Sequence, residues 1–581
     1  MSTRLTPNKP IEVRIPPTPG AAAPAGENGR VAEAGGTGAR AGASVAAATA
    51  TVCVIIVTWN RKKDVDNILR SLSRQDYPTG RMHVIVVDNS STDGTLNVLS
   101  AAWKPEFVVE NATDRAHEPR FEAARRLTPG EANAGGFGSL TLVRNHSNMG
   151  GCGGFNTGLS YVAHALASRG RAPEYAWLVD DDADVPSNAL TELTKAAASD
   201  ERIGLVGSRT VDMSNKRVTI ESTIYLNREV GAMGDAPPVG HARHEYHAEW
   251  VKKVGGPRGE NEYTGLRDVD VVSACSMLAR WSAVEQVGFW DWRYFIYCDD
   301  ADWCLRFGKA GYRVVLNLDA VVYHTPWNMK LTVARIYYSQ RNMLWMLQKV
   351  LEKKPLRRAM RHRMWSILRD SLQASMHRRL FHAEVIRRTA MDVVVNRAGK
   401  LDRDGPAPEA TIDAMRRAGV LSSGKRIAVL CSHPASVGWA DQLRVMVNQG
   451  LDHAAGESMP RWTYVTRNDV PDHGGGNEPA ATRPYRLIYA GHRLSRVRRQ
   501  LRMLTQRPAM VVVFDQTTDY PACWGKWNLH LDSKRPGMGQ LERDGVIAKA
   551  GFLGRWAWTA LRCGWYAMRV KPRGASATRY G

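Results

Sequence analysis

Short apolar runs and amphipathic segments alternate along the chain from residue 52 onward. The apolar runs favour buried strands, and the amphipathic segments carry apolar side chains at helical spacing. The predicted strands are Val52–Thr58, His83–Val87, Leu140–Arg144 and Tyr175–Val179, and the predicted helices are Lys62–Gln75, Thr95–Ala102 and Phe155–Arg169. This alternation predicts an α/β fold whose mostly parallel sheet is covered on both faces. Charge and glycine at Asn111–Gly138 interrupt the pattern, which predicts a surface insertion.

The rest of the chain changes composition three times. Residues 1–48, rich in Ala, Gly, Pro and Thr, cannot bury enough apolar surface to order themselves, so a disordered leader is predicted. A basic helical stretch, Val333–Ala398, ends at the Asp-, Gly- and Pro-containing segment Leu401–Pro408. Three more buried strands are predicted at Arg426–Cys431, Tyr485–Ala490 and Met510–Phe514, with a loop at Asp469–Pro484. The predicted domains are 1–48, 49–330, 331–400 and a small second α/β domain, 401–581.

Composition narrows the class of protein. With 44% hydrophobic and 23% charged residues in 581, the chain has an ordinary globular composition. Its eight cysteines include no C-x-x-C pair, which excludes a disulfide scaffold or zinc ribbon and fits a reducing compartment. No apolar run reaches about 18 residues, so no transmembrane helix is predicted. Together these features predict a cytoplasmic protein.

The net charge of +22 is unevenly distributed. Residues 351–400 hold 13 Lys and Arg against 4 Asp and Glu, and the tail Val546–Val570 mixes Trp and Tyr with Lys549, Arg555 and Arg562. Such a mixture predicts a helix lying in the interface of an anionic membrane. An ordinary packing helix and a solvated basic face are the alternatives. No nucleic-acid recognition motif is present, so no specific nucleic-acid partner is expected.

Polar residues follow four consecutive strands of the predicted sheet. These strand ends carry Thr58–Arg61, Asp88–Ser90, Asn148–Gly158 and Asp180–Asp182. Ligands bind at the carboxyl ends of strands in open parallel sheets, so the four segments predict one cleft.

The adjacent carboxylates of Asp180, Asp181 and Asp182 would repel one another unless a cation neutralised them. Hard oxygen ligands suit Mg²⁺ or Mn²⁺, which commonly bridge to substrate phosphates. Alternation in extended backbone lets Asp180 and Asp182 share the ion while Asp181 faces elsewhere. His324, which follows the strand Val314–Leu318, could complete the ligand set. The alternative is a solvated acidic turn that caps the next helix.

Two further segments carry candidate chemistry. Five glycines within Asn148–Gly158 predict a loop that approaches an anionic ligand and leads into a helix. The spacing excludes a dinucleotide fingerprint, and the absence of Gly-Lys-Ser/Thr excludes a Walker loop. In Phe289–Arg306, aromatic rings alternate with carboxylates, which predicts a sugar-binding wall with one carboxylate as general base. Acidic capping of a helix is the alternative for that segment.

These motifs together resemble the family 2 glycosyltransferases with a GT-A fold. The motifs are Thr-Trp-Asn-Arg, Asp-Asn-Ser-Ser-Thr-Asp-Gly, the glycine-rich segment, Asp-Asp-Asp, Asp-Asp-Ala-Asp-x-Cys-Leu-Arg, Val-x-His and Tyr-Tyr-Ser-Gln-Arg-Asn ending at Asn342. The resemblance covers Val52–Asn342 and is greatest to bacterial galactofuranosyltransferases and rhamnosyltransferases. It implies a Rossmann-like GT-A domain over 49–330 and inverting transfer from a nucleotide-diphosphate sugar. The stretch after Lys400 resembles no family we can name.

The resemblance also implies roles for individual residues. Mn²⁺ or Mg²⁺ would bind Asp180, Asp182 and His324, and Asp300 would be the catalytic base. The sugar or the acceptor would contact Trp290, Trp292, Asp299 and Asp302. The donor nucleotide would contact Thr58, Asn60, Arg61, Asp88, Asn148, Gly150, Gly151, Asn156 and Asp181. The expected reaction moves galactofuranose from UDP-galactofuranose to a lipid-linked or polysaccharide cell-envelope acceptor at the inner membrane face. Rhamnose transfer from dTDP-rhamnose and an inactive glycan- or partner-binding protein are the alternatives. Assembly into a homo-oligomer is left open.

Overall fold

The computed structural model describes residues 50–573 with internal gaps. The gaps are 117, 123–124, 127–132, 168–169, 171, 402–407, 467–484, 489–500, 502–504, 506, 517–522, 534 and 544. The leader predicted at 1–48 and the loop predicted at 469–484 lie outside the described residues. Within the described part, the chain forms two large sheets, each covered by helices.

The first sheet contains the strands β1 to β8 and β11 to β13. The strands of this half are β1 (Val52–Thr58), β2 (Met82–Asp88), β3 (Phe107–Asn111), β4 (Arg125–Arg126), β5 (Ser139–Asn145), β6 (Tyr175–Asp180), β7 (Ile203–Asp212), β8 (Thr219–Glu221), β9 (Tyr225–Asn227), β10 (Ala232–Gly234), β11 (Leu266–Asp268), β12 (Ser276–Arg280) and β13 (Arg313–His324). Its order is β11-β13-β7-β12-β6-β1-β2-β5-β3-β4, with β8 beside β7, while β9 and β10 form a separate hairpin. The central strands β6, β1, β2 and β5 are parallel, so their carboxyl ends share one edge.

Strand β1 shows why this sheet is buried on both faces. Cys53 and Ile55 join the hydrophobic cluster on one face, whereas Val52, Val54 and Ile56 join the cluster on the other. All five side chains are fully buried. The helices around this sheet are α1 (Lys62–Ser73), α2 (Thr95–Trp103), α3 (Gly150–Tyr161), α4 (Ala189–Ala198), α5 (His244–Val254), α6 (Trp281–Val287) and α7 (Asp299–Lys309). The predicted α/β fold with a mostly parallel sheet is confirmed.

The glycine-rich segment differs from its prediction. Helix α3 already begins at Gly150, so most of the predicted loop is the first two turns of a helix. A Cβ on Gly154 would lie 2.4 Å from Val57 Cγ1, and one on Gly158 would lie 2.3 Å from Ile55 Cγ2. The glycines therefore let the helix pack directly against β1.

A helical region follows the first sheet, as predicted. Its helices are α8 (Val333–Val350), α9 (Lys353–Met376) and α10 (Leu380–Val394). Arg341 on α8 is fully buried and donates to the carbonyl oxygens of Gly399, at 2.9 Å, and Tyr294, at 3.1 Å. The helical region is thereby fixed to the segment that precedes α7.

A second, smaller α/β unit completes the fold and confirms that prediction. It contains β14 (Glu409–Ala410), α11 (Thr411–Arg417), β15 (Arg426–Cys431), α12 (Ser436–Gln449), β16 (Arg461–Thr466), β17 (Tyr485–Ile488), β18 (Met510–Phe514), β19 (Trp527–Leu531), β20 (Met538–Arg543) and α13 (Val546–Arg569). Strands β15 to β19 run parallel, in the order β14-β20-β19-β18-β15-β16-β17. No helix in the described part of the chain combines the length and apolarity needed to cross a membrane. The domain boundaries drawn from composition remain predictions.

Candidate active site

The ends of β1 and β6 are joined by a compact polar cluster. Thr58 Oγ1 donates to Asp181 Oδ2 at 2.8 Å, and Arg61 Nη1 lies 2.9 Å from Asp181 Oδ1. Burial raises the pKa of Asp181 to about 7, although Arg61 opposes the shift. Thus Asp181 faces the β1 turn, while its two neighbours are free to point elsewhere.

Asp180, Asp182 and His324 converge at the same edge of the sheet. One ligand atom from each lies within 4.8 Å of the others. His324 Nε2 is 3.5 Å from Asp180 Oδ2 and 3.2 Å from Asp182 Oδ1. Burial opposes a charged ring, but hydrogen bonds to both carboxylates outweigh it and raise the pKa of His324 to about 9. Two carboxylate oxygens and an imidazole nitrogen fit Mn²⁺ or Mg²⁺, with room left in the coordination sphere for other oxygen ligands.

Two side-chain cations contact this acidic cluster. Arg61 Nη1 lies 2.5 Å from Asp182 Oδ2, and Lys330 Nζ lies 2.6 Å from the same oxygen. Burial alone would raise the pKa of Asp182, but His324, Arg61 and Lys330 together hold it well below its ordinary value. Sequence reasoning missed Lys330, although its position six residues after His324 could have drawn attention to it.

Asp300 lies at the first turn of α7, beside the acidic cluster. Its Oδ1 accepts from the Ala301 amide at 2.7 Å, and its Oδ2 accepts from the Ala274 amide at 3.3 Å. Burial raises the pKa of Asp300, and the charge of Asp180 adds to the shift. A carboxylate with a raised pKa is a stronger base than an ordinary one, which suits removal of a hydroxyl proton.

Glu221 is a second acidic neighbour that the sequence did not reveal. It ends β8, and no motif surrounds it, so only the pairing of β8 with β7 brings it to the site. Burial and the nearby charge of Asp300 raise the pKa of Glu221 to about 7. The candidate site therefore contains a second carboxyl that titrates near neutrality.

The segment that precedes α7, and so positions Asp300, has a strained backbone. Phe295, Tyr297 and Cys298 all have positive φ, between 59° and 70°. Such conformations cost of order 1–3 kcal/mol each for bulky residues and persist only where their surroundings enforce them. The Asn342 side-chain amide supplies that restraint, because its Nδ2 donates to the carbonyls of Tyr294, Ile296 and Tyr297 at 2.8–2.9 Å.

Several predicted nucleotide-binding residues tie the strand ends together. The amide of Ser91 donates to Asp88 Oδ2 at 3.1 Å, and the amide of Thr92 donates to Asn60 Oδ1 at 2.7 Å. Burial raises the pKa of Asp88, partly opposed by its hydrogen bonds from Ser91. Asn148 Oδ1 accepts from the Gly150 amide at 2.8 Å, at the start of α3. These contacts shape the β1 and β2 turns, and nucleotide contact by Thr58, Asn60, Arg61, Asp88, Asn148, Gly151 and Asp181 remains a prediction.

The structure corrects two of the predicted ligand contacts near α3. Trp290 is only 1% exposed and packs against Phe155 and Trp303, with ring centroids 5.0 and 5.7 Å away, so it offers no face to a sugar. Asn156 is equally buried, and its amide bonds the backbone N–H and carbonyl of Trp290, each at 2.9 Å. A Cβ on Gly150 would meet Phe295 O at 2.0 Å, so this glycine permits close backbone packing, and its contact with nucleotide remains a prediction. The aromatic and amide pattern did not show which side chains face inward.

Asp302 is also a structural residue. Its carboxylate lies 2.8 Å from Lys349 Nζ and 3.1 Å from Arg306 Nε, and it is 1% exposed. Asp299 is buried as well, which together with the charge of Asp300 raises its pKa well above the ordinary value. Of the predicted sugar-wall residues, Trp292 is half-buried and its contact with sugar remains a prediction.

A comparison with known protein families matches the part of the chain that forms the first strands of the site. Residues 53–120 match the protein family described as glycosyl transferase family 2. The matched segment contains β1 to β3, the Thr58–Arg61 turn and Asp88. The coarser form of the resemblance is thereby confirmed: the chain carries a family 2 segment at the start of its first sheet.

Curated relatives share a shorter stretch. Poly(ribitol-phosphate) beta-N-acetylglucosaminyltransferase TarS of Staphylococcus aureus, from strains Mu50 and MW2, is 44% identical over 46 residues. That stretch is 8% of this chain and 8% of TarS, so the chain spans under a tenth of the length of the curated relatives it matches.

Sequence identity to the solved structures that were matched is lower. The mannosyltransferase PcManGT from Pyrobaculum calidifontis, in complex with GDP-Man and Mn²⁺, is 16% identical, with a TM-score of 0.32 over 62% of this chain and 83% of that one. GalNAc-T7 with UDP, GalNAc and Mn²⁺ is 11% identical, with a TM-score of 0.36 over 56% and 51%. The structure of S. aureus TarS is 15% identical, with a TM-score of 0.33 over 59% and 49%. TM-scores of this size carry no argument about fold or function.

Proposed function

We propose that this protein is a metal-dependent inverting glycosyltransferase that uses a nucleotide-diphosphate sugar. The observation that carries the proposal is the convergence of Asp180, Asp182 and His324 at the sheet edge, with Asp300 on the first turn of α7 near enough for the charge of Asp180 to act on it. The family 2 match of residues 53–120 supports the same class of reaction.

In this proposal each residue has a distinct task. Asp180, Asp182 and His324 hold Mn²⁺ or Mg²⁺, which neutralises charge on the departing diphosphate. The acceptor hydroxyl attacks the anomeric carbon as the bond from that carbon to the diphosphate oxygen breaks, and Asp300 takes the hydroxyl proton. Arg61 and Thr58 fix Asp181, so the β1 turn and the metal ligands keep one geometry.

The sugar that best fits the motif resemblance is galactofuranose, donated by UDP-galactofuranose and transferred to a lipid-linked cell-envelope glycan. Rhamnose from dTDP-rhamnose is the competing donor. The name of the curated relative TarS mentions N-acetylglucosamine, so UDP-GlcNAc belongs in the same comparison, and GDP-mannose adds a donor with a different base and sugar.

Release of nucleoside diphosphate from these four donors, with Mn²⁺ and with EDTA, tests the proposal. Asp182→Asn and Asp300→Asn should each lower turnover at least about a hundredfold, since one removes a metal ligand and the other a base. Asp319→Asn is the matched control, because Asp319 is exposed and its Oδ2 accepts from the Gly265 amide at 2.9 Å. Turnover that persists in EDTA or in both variants would contradict the proposal, and turnover with another donor alone would replace the sugar.

We also propose that the protein attaches to the anionic inner face of the cell membrane through α13 and α9. One face of α13 is buried, through Phe552, Thr559, Cys563 and Ala567. The opposite face leaves large apolar side chains 54–89% exposed, namely Ile547, Trp558, Leu561, Trp565 and Met568. A packing helix would bury one face and leave a polar one outside, so this second apolar face indicates another occupant.

Charge favours an anionic lipid surface as that occupant. Arg555, Arg562 and Arg569 flank the exposed apolar face of α13, and the guanidinium of Arg569 lies 4.4 Å from the Trp565 ring centroid. The neighbouring helix α9 adds an exposed stripe of Arg358, Arg361, Trp365 and Arg369. The two helices touch where Trp556 Nε1 donates to Leu368 O at 2.9 Å. Aromatic rings flanked by cations are typical of helices that lie in a membrane interface.

Sedimentation with vesicles of anionic or neutral phospholipid tests this attachment. Trp558→Glu with Leu561→Glu should weaken binding to anionic vesicles at least about tenfold, because two apolar side chains no longer enter the interface. Val239→Glu, at an exposed apolar position elsewhere, is the control and should bind as wild type does. Equal binding to neutral and anionic vesicles, or undiminished binding of the double variant, would contradict the attachment.

A further inference from the structure

Lys330 occupies the position at which the metal ligands converge. It ends the short helix Trp327–Lys330, and its Nζ lies 2.6 Å from Asp182 Oδ2 and 2.9 Å from His324 Nε2. The side chain is only 20% exposed. The ammonium group therefore bridges two of the three residues that could bind a divalent ion.

An ammonium and a metal ion cannot both use His324 Nε2. In the neutral ring with its proton on Nδ1, Nε2 has one lone pair, which either accepts a hydrogen bond from the Lys330 ammonium or coordinates a cation. Coordination of an ion by His324 therefore requires Lys330 to leave this nitrogen. A lysine displaced from there remains next to the ion on a four-carbon stem, and ammonium groups are common ligands of phosphate oxygens.

The second α/β unit fixes the segment that carries Lys330. His433, two residues after the end of β15, donates to Met329 O through Nε2 at 3.0 Å, while its Nδ1 accepts from the Ala435 amide at 3.1 Å. These two contacts agree with one tautomer, in which Nε2 carries the proton. A few residues on, the Val333 amide donates to Asp515 O at 3.2 Å, at the end of β18. The carbonyl of Lys330 itself accepts from Arg335 Nη1 at 2.9 Å.

We propose that Lys330 holds the metal ligands together in the free enzyme and binds the donor diphosphate once a divalent ion has taken its place. In this account His433 is a positioning residue, and the second α/β unit acts in the reaction by presenting Lys330. The inference rests on the proposed function, and it gives that unit a task which no sequence motif indicated.

The first test measures metal binding without nucleotide. The full-length protein is titrated with Mn²⁺ alone, and binding is monitored through the electron paramagnetic resonance signal of free Mn²⁺. Lys330→Ala removes the cation that competes for His324 and leaves Arg61 on Asp182, so it should bind Mn²⁺ about three- to tenfold more tightly than wild type. Lys216→Ala is the matched control. Lys216 pairs with Asp184 at 2.9 Å, close to the same sheet edge, rather than with Asp182 or His324. Its loss should change Mn²⁺ affinity less than about twofold.

Nucleotide binding provides the second test, by calorimetric titration of UDP at saturating Mn²⁺. Lys330→Ala should weaken UDP at least about tenfold, whereas Lys330→Arg keeps the charge and should stay within about threefold of wild type. His433→Phe keeps an aromatic ring against Trp439 but loses the bond to Met329 O. It should weaken UDP about threefold in the wild type and not at all in Lys330→Ala, because it acts through Lys330.

Each outcome decides a separate statement. Unchanged or weaker Mn²⁺ binding by Lys330→Ala would overturn the competition, and unchanged UDP binding would overturn the diphosphate assignment. An additive effect of His433→Phe in the Lys330→Ala background would overturn the positioning role. A wild type that binds Mn²⁺ but no nucleotide would contradict the proposed function itself, while the Mn²⁺ comparison would still judge the competition.

Discussion

Replacing Lys349 by Met would remove the cation between two buried carboxylates behind the candidate site. Lys349 Nζ lies 2.7 Å from Asp291 Oδ2 and 2.8 Å from Asp302 Oδ1. Loss of one member of a buried ion pair costs about 3–5 kcal/mol, because the remaining charge stays in a poor solvent. Asp291 and Asp302 each keep an arginine, Arg293 and Arg306, so we expect the lower end, about 3 kcal/mol.

Urea unfolding of the full chain, followed by tryptophan fluorescence, measures this loss. A destabilisation of about 3 kcal/mol moves the midpoint by roughly 1 M if the slope is about 3 kcal/mol/M. Lys216→Met removes an exposed ion pair instead and should cost less than about 1 kcal/mol. If Lys349→Met unfolds within about 1 kcal/mol of wild type, the structural role of Asp302 is refuted. That role is refuted too if Asp302→Asn raises the acceptor KM and leaves the midpoint unchanged.

Three further predictions concern the core. His247 is 2% exposed, and burial together with the charge of Arg267 lowers its pKa to about 4. Because the unfolded chain takes up this proton near pH 6.5 and the folded protein only near pH 4, the stability that His247 contributes is complete above pH 6.5 and falls as the pH drops toward 4. Relative to His247→Leu, wild type should lose about 2 kcal/mol between about pH 7.5 and 5 in urea unfolding, and parallel curves would contradict this. Trp290→Ala should lower the free energy of unfolding by about 3–5 kcal/mol in the same assay. A raised KM for the sugar donor with unchanged stability would instead indicate that Trp290 contacts the sugar. Gly158→Ala places a methyl against Ile55 and should lower stability by about 1–3 kcal/mol in thermal unfolding. Gly151→Ala, in open space on the same helix, is its control and should cost far less, so equal losses would argue against close packing of α3 on β1.

The parts of the site that follow strands could be predicted from the sequence. An apolar run that stops at an acidic or hydroxyl side chain marks the carboxyl end of a parallel strand, as at Thr58, Asp88 and Asp180. Because parallel strands share that edge, proximity follows from local pattern alone. The second sheet was predictable for the same reason, through the apolar runs of β15 and β18.

The residues that were mistaken or missed depend on long-range packing. Trp290 and Asn156 lie in motifs that look functional, but whether a side chain faces a cleft or a core depends on elements 134 residues apart in sequence. Glu221 reaches the site through an antiparallel pairing with β7, and Lys330 reaches it through contacts with the second α/β unit. Neither the pairing of β8 with β7 nor the contacts of the Lys330 segment can be predicted from the local pattern of hydrophobic and polar positions.

The proposed reaction depends on a divalent ion bound by Asp180, Asp182 and His324 beside the general base Asp300. Anomalous diffraction at the manganese edge, from crystals of the full-length protein grown with Mn²⁺ and UDP, tests it most directly. We expect one strong peak within about 2.0–2.3 Å of a carboxylate oxygen of Asp180 or Asp182 and of His324 Nε2, and no such peak in Asp182→Asn. A peak at another place, or nucleotide bound in the cleft with no manganese near these three residues, would contradict it.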